Sequence, residues 1–342
     1  MKKYLLMSLA AMISFGASSA FAEGGQEKSA APAPAVVIKI SNGVNELHPT
    51  YLATKKFADL VMAKLPGKYD IQVYANAQLG DDVRATESVR MGGGVEMVAT
   101  SASPLAGLLP QLMVLDLPFL FPTEKAADAV LDGPIGAKMA ANLEAKGLKI
   151  LAYYENGFRQ LTNSARDVHA PSDLKGLKIR TMENPIHLAT WKALGANPTP
   201  MPFSEVFTAM QQKTIDGQEN PIPTIYLSKF NEVQKFVTLT GHVYGPHILL
   251  INKKMFDAFP AEDQKIMLAA AQESAIFQRA TNRKMNSDYV DSLRNAGMTV
   301  TILTPAEQGA FQNAVAPVYA QFEEKIGKDF IGEVLAAIKA VK

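Results

Sequence analysis

Between Ala261 and Ala296 the chain runs 36 residues without a glycine or a proline, opening after Pro260 and closing at Gly297. Proline breaks a helix interior and glycine favours the position just past a helix end, so the stretch reads as one uninterrupted helix. At about 1.5 Å per residue it would be about 54 Å long. No single small domain needs a helix of that length, so it is expected to lie across two domains. Upstream, short β-rich runs at Val36–Ser41, Ile71–Ala75, Val95–Ser101, Leu148–Tyr154, Leu177–Met182 and Val233–Leu239 alternate with runs of helical period. That alternation predicts an α/β architecture with mostly parallel sheets.

The chain opens with Lys2-Lys3, an apolar run from Tyr4 to Phe15, and the small-x-small triplet Ala20-Phe21-Ala22. Residues 1–22 therefore read as a cleaved export signal. A membrane span needs roughly 20 apolar residues, and neither this run nor any later one is that long, so the mature chain is expected to be soluble. Residues 23–35, EGGQEKSAAPAPA, have nothing to bury and read as a disordered tether. Cleavage removes two lysines, moving the formal charge from +1 to 1 − 2 = −1. Charges of both signs are scattered, which excludes the basic face that nucleic acid requires. With no cysteine, disulfides, thiol catalysis, thiolate metal sites and a lipid anchor on Cys are excluded. Stability must come from the core.

Four words stand in series: Asn156-Gly157-Phe158-Arg159, then Lys175-Gly176-Leu177-Lys178-Ile179-Arg180, then LGANPTPMPFSEV from Leu194 to Val206, then Asp216-Gly217-Gln218-Glu219-Asn220-Pro221. In this order and spacing the chain resembles the extracytoplasmic solute-binding proteins of TRAP transporters, the DctP-type family, from about Val36 to about Ile326. The resemblance implies a two-lobe, periplasmic-binding-protein-like α/β fold of type II, its lobes bridged by the long helix. The N-terminal lobe would take residues 36–156 plus about 245–284, and the C-terminal lobe residues 157–244 plus about 285–342. It further implies a periplasmic location, an organic acid ligand, and delivery to a permease of one small and one large membrane subunit driven by an ion gradient. A monomer without cofactor or metal is expected.

Arginine offers a planar fork of donors that matches both oxygens of a carboxylate. Strict strand alternation puts Arg180 on the face of Lys178, where the plain reading is a solvated strand face; the resemblance makes it the salt bridge to the ligand carboxylate. Arg159, in a loop after a strand and a glycine, reads equally as an exposed structural residue, and its word implies a second carboxylate contact. Asn220 precedes a proline and by itself shapes a turn; the resemblance gives its side chain the same carboxylate. Phe203 stands ahead of Ser204, which suits an N-cap for a helix Glu205–Gln212. Phe203 is then a staple or core aromatic, or, by resemblance, a pocket wall that stacks on the ligand. Asn42, Asp82 and Ser101 are candidates for the distal, polar part of a ligand, although Asp82 equally suits a helix's first turn. Among the histidines, which show no metal spacing, His48 before Pro49 and His247 near a lobe crossover are the two placed to reach a ligand.

Sialic-acid-binding members carry a glutamate near Ser101 and an asparagine near Asn42 or Gly43. The serine here, and the extra glycine in Gly92-Gly93-Gly94, remove the expectation of a sialic-acid glycerol tail and leave the arginine words intact. No GxSxG, Walker A or dinucleotide glycine pattern is present. Asp216 and Glu219 could suggest acid–base work, but their spacing in a short strand gives no reason to expect perturbed pKa values. The reading is a binding protein, not an enzyme, for a sugar acid such as a uronate or aldonate. A C4-dicarboxylate is the alternative and needs a second cation, which Asn42, Asp82 and Ser101 do not supply. A sensory ligand-binding protein or an exported enzyme are the rivals of other classes.

Overall fold

The stretch free of glycine and proline is one helix, Ala261–Asn295, in a computed structural model that describes residues 35–341. The expected signal, and the tether except its last residue, lie outside the described residues. Met267, Ala270, Ala271, Ser274, Ala275, Gln278 and Asn282 recur at helical spacing along its buried face. Among the described residues no helix is long and apolar enough to cross a membrane.

Eleven strands lie among the described residues: β1 (Val36–Asn42), β2 (Tyr69–Tyr74), β3 (Met97–Ser101), β4 (Leu148–Phe158), β5 (Gln160–Asn163), β6 (Lys178–Thr181), β7 (Asn197–Pro200), β8 (Gly217–Asn220), β9 (Phe236–Leu239), β10 (Tyr244–Asn252) and β11 (Thr299–Ile302). They form two sheets, ordered β2-β1-β3-β10-β4 and β11-β9-β5-β8-β6-β7. Five of the nine pairings are parallel, but β10 and β5 each run antiparallel to both neighbours. The sheets are thus more mixed than alternation suggested. The strands β5, β7, β10 and β11 were not legible, three of them being only four residues long, whereas the short strand expected around Asp216 and Glu219 is β8.

Three connections join the sheets. β4 ends at Phe158 and β5 begins at Gln160, leaving Arg159 alone at the crossover. The return, from β9 to β10 through residues 240–243, runs beside it, and the Arg159 amide donates to the Val243 carbonyl at 2.8 Å. The long helix is the third. It packs on β4 and on the helix Pro49–Lys64, and farther along on the helix Ile222–Leu227 and on β11. Near the crossover its buried face turns polar. Pro246 pairs with Glu155 at a bulge and has no N–H to give the ladder. Gln278 supplies both missing partners, accepting from the Glu155 amide at 2.7 Å and donating to its carbonyl at 2.6 Å. The buried Glu155 carboxylate is balanced by Arg283 at 2.7–2.8 Å and bonded by Asn282 at 3.0 Å. An uncompensated carboxylate there would be costly.

Helices Pro305–Val315 and Pro317–Ile326 lie on helix Pro185–Ala193, whereas the final helix, Lys328–Lys339, lies on Glu124–Leu131, within the stretch expected to form the N-terminal lobe. Ser204 caps nothing: Phe203–Glu205 is a 3-10 turn, and the helix that follows, Val206–Gln211, starts without a side-chain cap.

Candidate functional site

The glycine of the DGQEN word is dictated by packing. β8 lies between β5 and β6 and is buried throughout. A Cβ at Gly217 would come within 2.1 Å of the Thr162 carbonyl oxygen and 2.9 Å of the Asn163 Cβ. Because the obstacle is backbone, Gly217→Ala is expected to push β8 away from β5, carrying Glu219 and Asn220 with it. It should cost roughly 1–3 kcal/mol, as overpacking does. A melting temperature equal to that of the unmodified protein would refute this.

Arg159, Arg180, Asn220, Phe203, Asp82, Ser101 and His247 all line one cavity. Seven of the eight residues expected at a ligand are thus brought together. Asn42 is the correction. It shares a face of β1 with Ile38 and Ile40, all wholly buried, and its Oδ1 accepts from Thr54 of helix Pro49–Lys64 at 3.3 Å. Alternation along β1 turns it from the cavity, and Gly43 and Val44 line the wall instead. His48 also stays outside the lining. It caps helix Pro49–Lys64 through Nδ1, and its Nε2 meets Thr224 Oγ1 at 3.1 Å. Burial pulls its pKa down to about 3.

Arg180 and Lys178 do share a strand face, but that face passes from solvent at Lys178 into the cleft. Arg180 is 2% exposed. Its Nε and Nη2 donate to the Met201 carbonyl at 2.9 and 2.6 Å, and among the described residues no carboxylate lies within ion-pair distance of it. Burial pulls its pKa down to about 10, which leaves it charged at neutral pH.

Arg159 is neither exposed nor wholly available. Its Nε and Nη2 hold the Glu219 carboxylate in a fork, Nη2 to Oε1 at 2.8 Å, both side chains being essentially inaccessible. Nη1 is left, buried and without a protein partner among the described residues. Glu219, expected to titrate normally, is the second correction. Burial works against its charge, but Arg159, His187 and His242 outweigh that and hold its pKa well below the usual range. His242 bonds it at 3.1 Å and is kept largely neutral by burial. A crossover residue between two strands and the third residue of another strand carry no shared local signal, so this pair was not readable.

At the other end of the cavity stand Asp82 and Ser101. Asp82 opens helix Asp82–Met91 as a first-turn acid and also faces the cavity, so both readings hold. Burial raises its pKa to about 6 against the opposing pull of Thr100 and Arg180. Gly43 leaves it room, since a Cβ there would stand 3.0 Å from Asp82 Oδ1. His247, bonded to Thr50 Oγ1 at 2.8 Å, is held neutral by burial. Phe203 lines the wall and tilts against Phe230, ring centroids 6.0 Å apart. Asn220 donates to Gln218 Oε1 at 2.5 Å. Not anticipated were Asn156, Thr100, Met182, Glu183 and Thr224. Asn156 opens the first arginine word and could have been taken from it; the others carry no local mark.

The walls meet across the cavity. Asn45 Nδ2 donates to the Leu227 carbonyl at 2.9 Å, and Ser101 Oγ approaches Met182 Sδ at 3.4 Å. Among the described residues no group of acidic and histidine side chains is arranged to hold a metal ion.

Residues 40–325 match the family described as bacterial extracellular solute-binding protein, family 7. The chain is 42% identical over 265 residues to the 2,3-diketo-L-gulonate-binding periplasmic protein YiaO of Escherichia coli K12, covering 78% of this chain and 80% of that one. In structure it is similar to the sugar acid binding protein DctPAm of Advenella mimigardefordensis in complex with galactonate. That match has a TM-score of 0.88 and 40% identity and covers 90% of this chain and 99% of that one. It is also similar to a TRAP periplasmic solute binding protein of Shewanella oneidensis with bound succinate. There the TM-score is 0.86 and the identity 33%, over 89% of this chain and 99% of that one.

Proposed function

The chain belongs to the DctP family of bacterial extracellular solute-binding proteins, the extracytoplasmic binding proteins of TRAP transporters, and from that premise we propose that it captures a sugar acid in the periplasm and hands it to a TRAP permease. It is a binding protein and not an enzyme. The observation that carries the ligand class is Arg180. Among the described residues it is a buried cation lining a cavity with no carboxylate within ion-pair distance, beside the one Arg159 nitrogen, Nη1, that Glu219 leaves unused. A buried cation needs a counter-charge, and a carboxylate placed against both guanidinium groups supplies it.

The far end of the cavity supports a hydroxylated acid over a C4-dicarboxylate. Among the described residues its lining there offers Asp82, Thr100, Ser101 and Glu183, with no lysine and no third arginine. Carboxylates and hydroxyl groups accept and donate to a polyol chain, whereas a second ligand carboxylate would face Asp82 and Glu183. The galactonate-bound relative at 40% identity and the diketogulonate-binding relative at 42% agree with this choice. Because ligand contacts come from elements of both sheets, binding favours the form in which those walls meet, and that form is the one a permease can distinguish.

Thermal-shift measurement with galactonate, glucuronate, succinate and galactonamide tests the reading. A ligand at about 100 times its Kd should add about 2.7 kcal/mol of stability. The sugar acids are expected to raise the melting temperature and succinate to raise it less. Galactonamide, the neutral analogue, should leave it unchanged, because two guanidinium groups would be left poorly paired. Equal stabilisation by the amide would sink the carboxylate assignment.

A further inference from the structure

We propose that His187 is a positioning residue for the ligand carboxylate: clamped between Asp116 and Glu219, it holds Glu219 in the place from which that carboxylate aims Arg159 into the cleft, an inference that rests on reading the cleft as an acid-binding site. His187 stands near the start of helix Pro185–Ala193 and is 1% exposed. Its Nε2 lies 2.9 Å from Asp116 Oδ1, and its Nδ1 lies 3.7 Å from Glu219 Oε1, inside ion-pair distance though too long for a hydrogen bond.

Both ends of this clamp are built. Asp116, equally buried at the end of the 3-10 helix Pro110–Asp116, also accepts from Ser103 Oγ and, at 2.8 Å, from Asn184 Nδ2. The same Asn184 caps the His187 helix, its Oδ1 accepting from the Ile186 amide at 2.8 Å. One side chain thus ties the helix start to Asp116 and delivers His187 between the two carboxylates. No lysine or arginine among the described residues pairs with Asp116, so His187 is the cation available to balance it.

The charged groups that face His187 are Asp116 from the 3-10 helix, Glu219 from β8, and, beyond Glu219, Arg159 at the crossover and His242, whose ring packs edge-on to Trp191. Burial favours the neutral imidazole, but the two carboxylates outweigh it and raise the pKa to about 9. At neutral pH both ring nitrogens then carry protons and both carboxylates face a donor. A neutral ring has one N–H. If it keeps the bond to Asp116, it turns a bare lone pair on Glu219 Oε1, and the carboxylate that grips Arg159 keeps His242 on Oε2 but loses the imidazolium cation that faces the other oxygen.

Calorimetric titration of galactonate into the unmodified protein between pH 6 and pH 10 reads this directly. Affinity is expected to be level up to about pH 8 and then to fall through the His187 pKa by about tenfold in all, the factor by which the charged form binds better, as linkage requires. His187→Gln should bind about tenfold more weakly at pH 7, in the range of coupled neighbours, and should lose the fall near pH 9. Asp116→Asn removes one of the two stabilising carboxylates and should move the fall to lower pH. If the unmodified protein binds no aldonate or uronate at pH 7, the acid-binding reading fails and takes this inference with it. Binding with a profile flat to pH 10, or the same fall persisting in His187→Gln, overturns the positioning role alone. The profile of the unmodified protein decides even if His187→Gln does not fold.

Discussion

Arg180→Lys is expected to weaken sugar-acid binding by roughly 2–5 kcal/mol, the cost of disrupting one side of an enclosed charged pair. Charge is not the variable, because lysine keeps it. Arg180 does two jobs with one planar group, donating from Nε and Nη2 to the Met201 carbonyl while its guanidinium lines the cavity. An ammonium is a point donor and cannot hold the carbonyl in that fashion and also present a fork to a carboxylate. Since no protein carboxylate pairs with Arg180 among the described residues, the loss should fall on binding and leave the melting temperature of the unliganded protein near its original value. Calorimetry with galactonate checks the first, and a thermal melt without ligand the second. Affinity within a few-fold of the unmodified protein would remove Arg180 from the ligand.

Glu219→Gln should act in the opposite way and damage the fold itself. Glu219 is the counter-charge of Arg159 and faces His187, all three buried. Breaking a buried pair by removing one partner costs about 3–5 kcal/mol, because the remaining charge is left uncompensated. Glutamine retains the shape and some hydrogen bonding, so the expected result is a lower melting temperature with a folded spectrum. The pH dependence follows from the directions of the two shifts. Glu219 is pulled below its ordinary value, so its contribution is present above the unfolded carboxylate pKa of about 4.3 and is lost as pH falls through the folded value. His187 is raised from 6.5 to about 9, so its contribution is complete below 6.5 and is lost as pH rises toward 9. Both are in full effect between those limits, and the variant's deficit should be largest there. A deficit independent of pH from 3 to 10 would show that Glu219 matters through shape alone.

Much of the candidate site's lining was readable because the residues concerned lie in words that survive without knowledge of their neighbours. Arg159, Arg180, Phe203 and Asn220 are carried by four such words, and the cavity contains all four. Arg180 also shows where local pattern misleads. Alternation rightly put it on the Lys178 face but had no means of knowing that this face leaves solvent within two residues. Asn42 failed for the converse reason. Its alternation with Ile38 and Ile40 was available and would have turned it toward the helix packed on β1.

By itself the sequence determined the long helix, whose limits Pro260 and Gly297 mark to within one residue, because helix continuity depends on backbone terms that proline and glycine change locally. It determined the α/β class for the same reason, since apolar period is a local property. Only the tertiary structure decided which donors of each arginine remain for a ligand. Arg159 is separated from Glu219 by 60 residues, and His187 from Asp116 by 71. The first contact exists because β5 and β8 pair antiparallel beside a crossover between two sheets, and the second because helix Pro185–Ala193 packs on the 3-10 helix Pro110–Asp116; strand pairing and helix packing, unlike helix formation, are settled by partners that the intervening sequence does not specify.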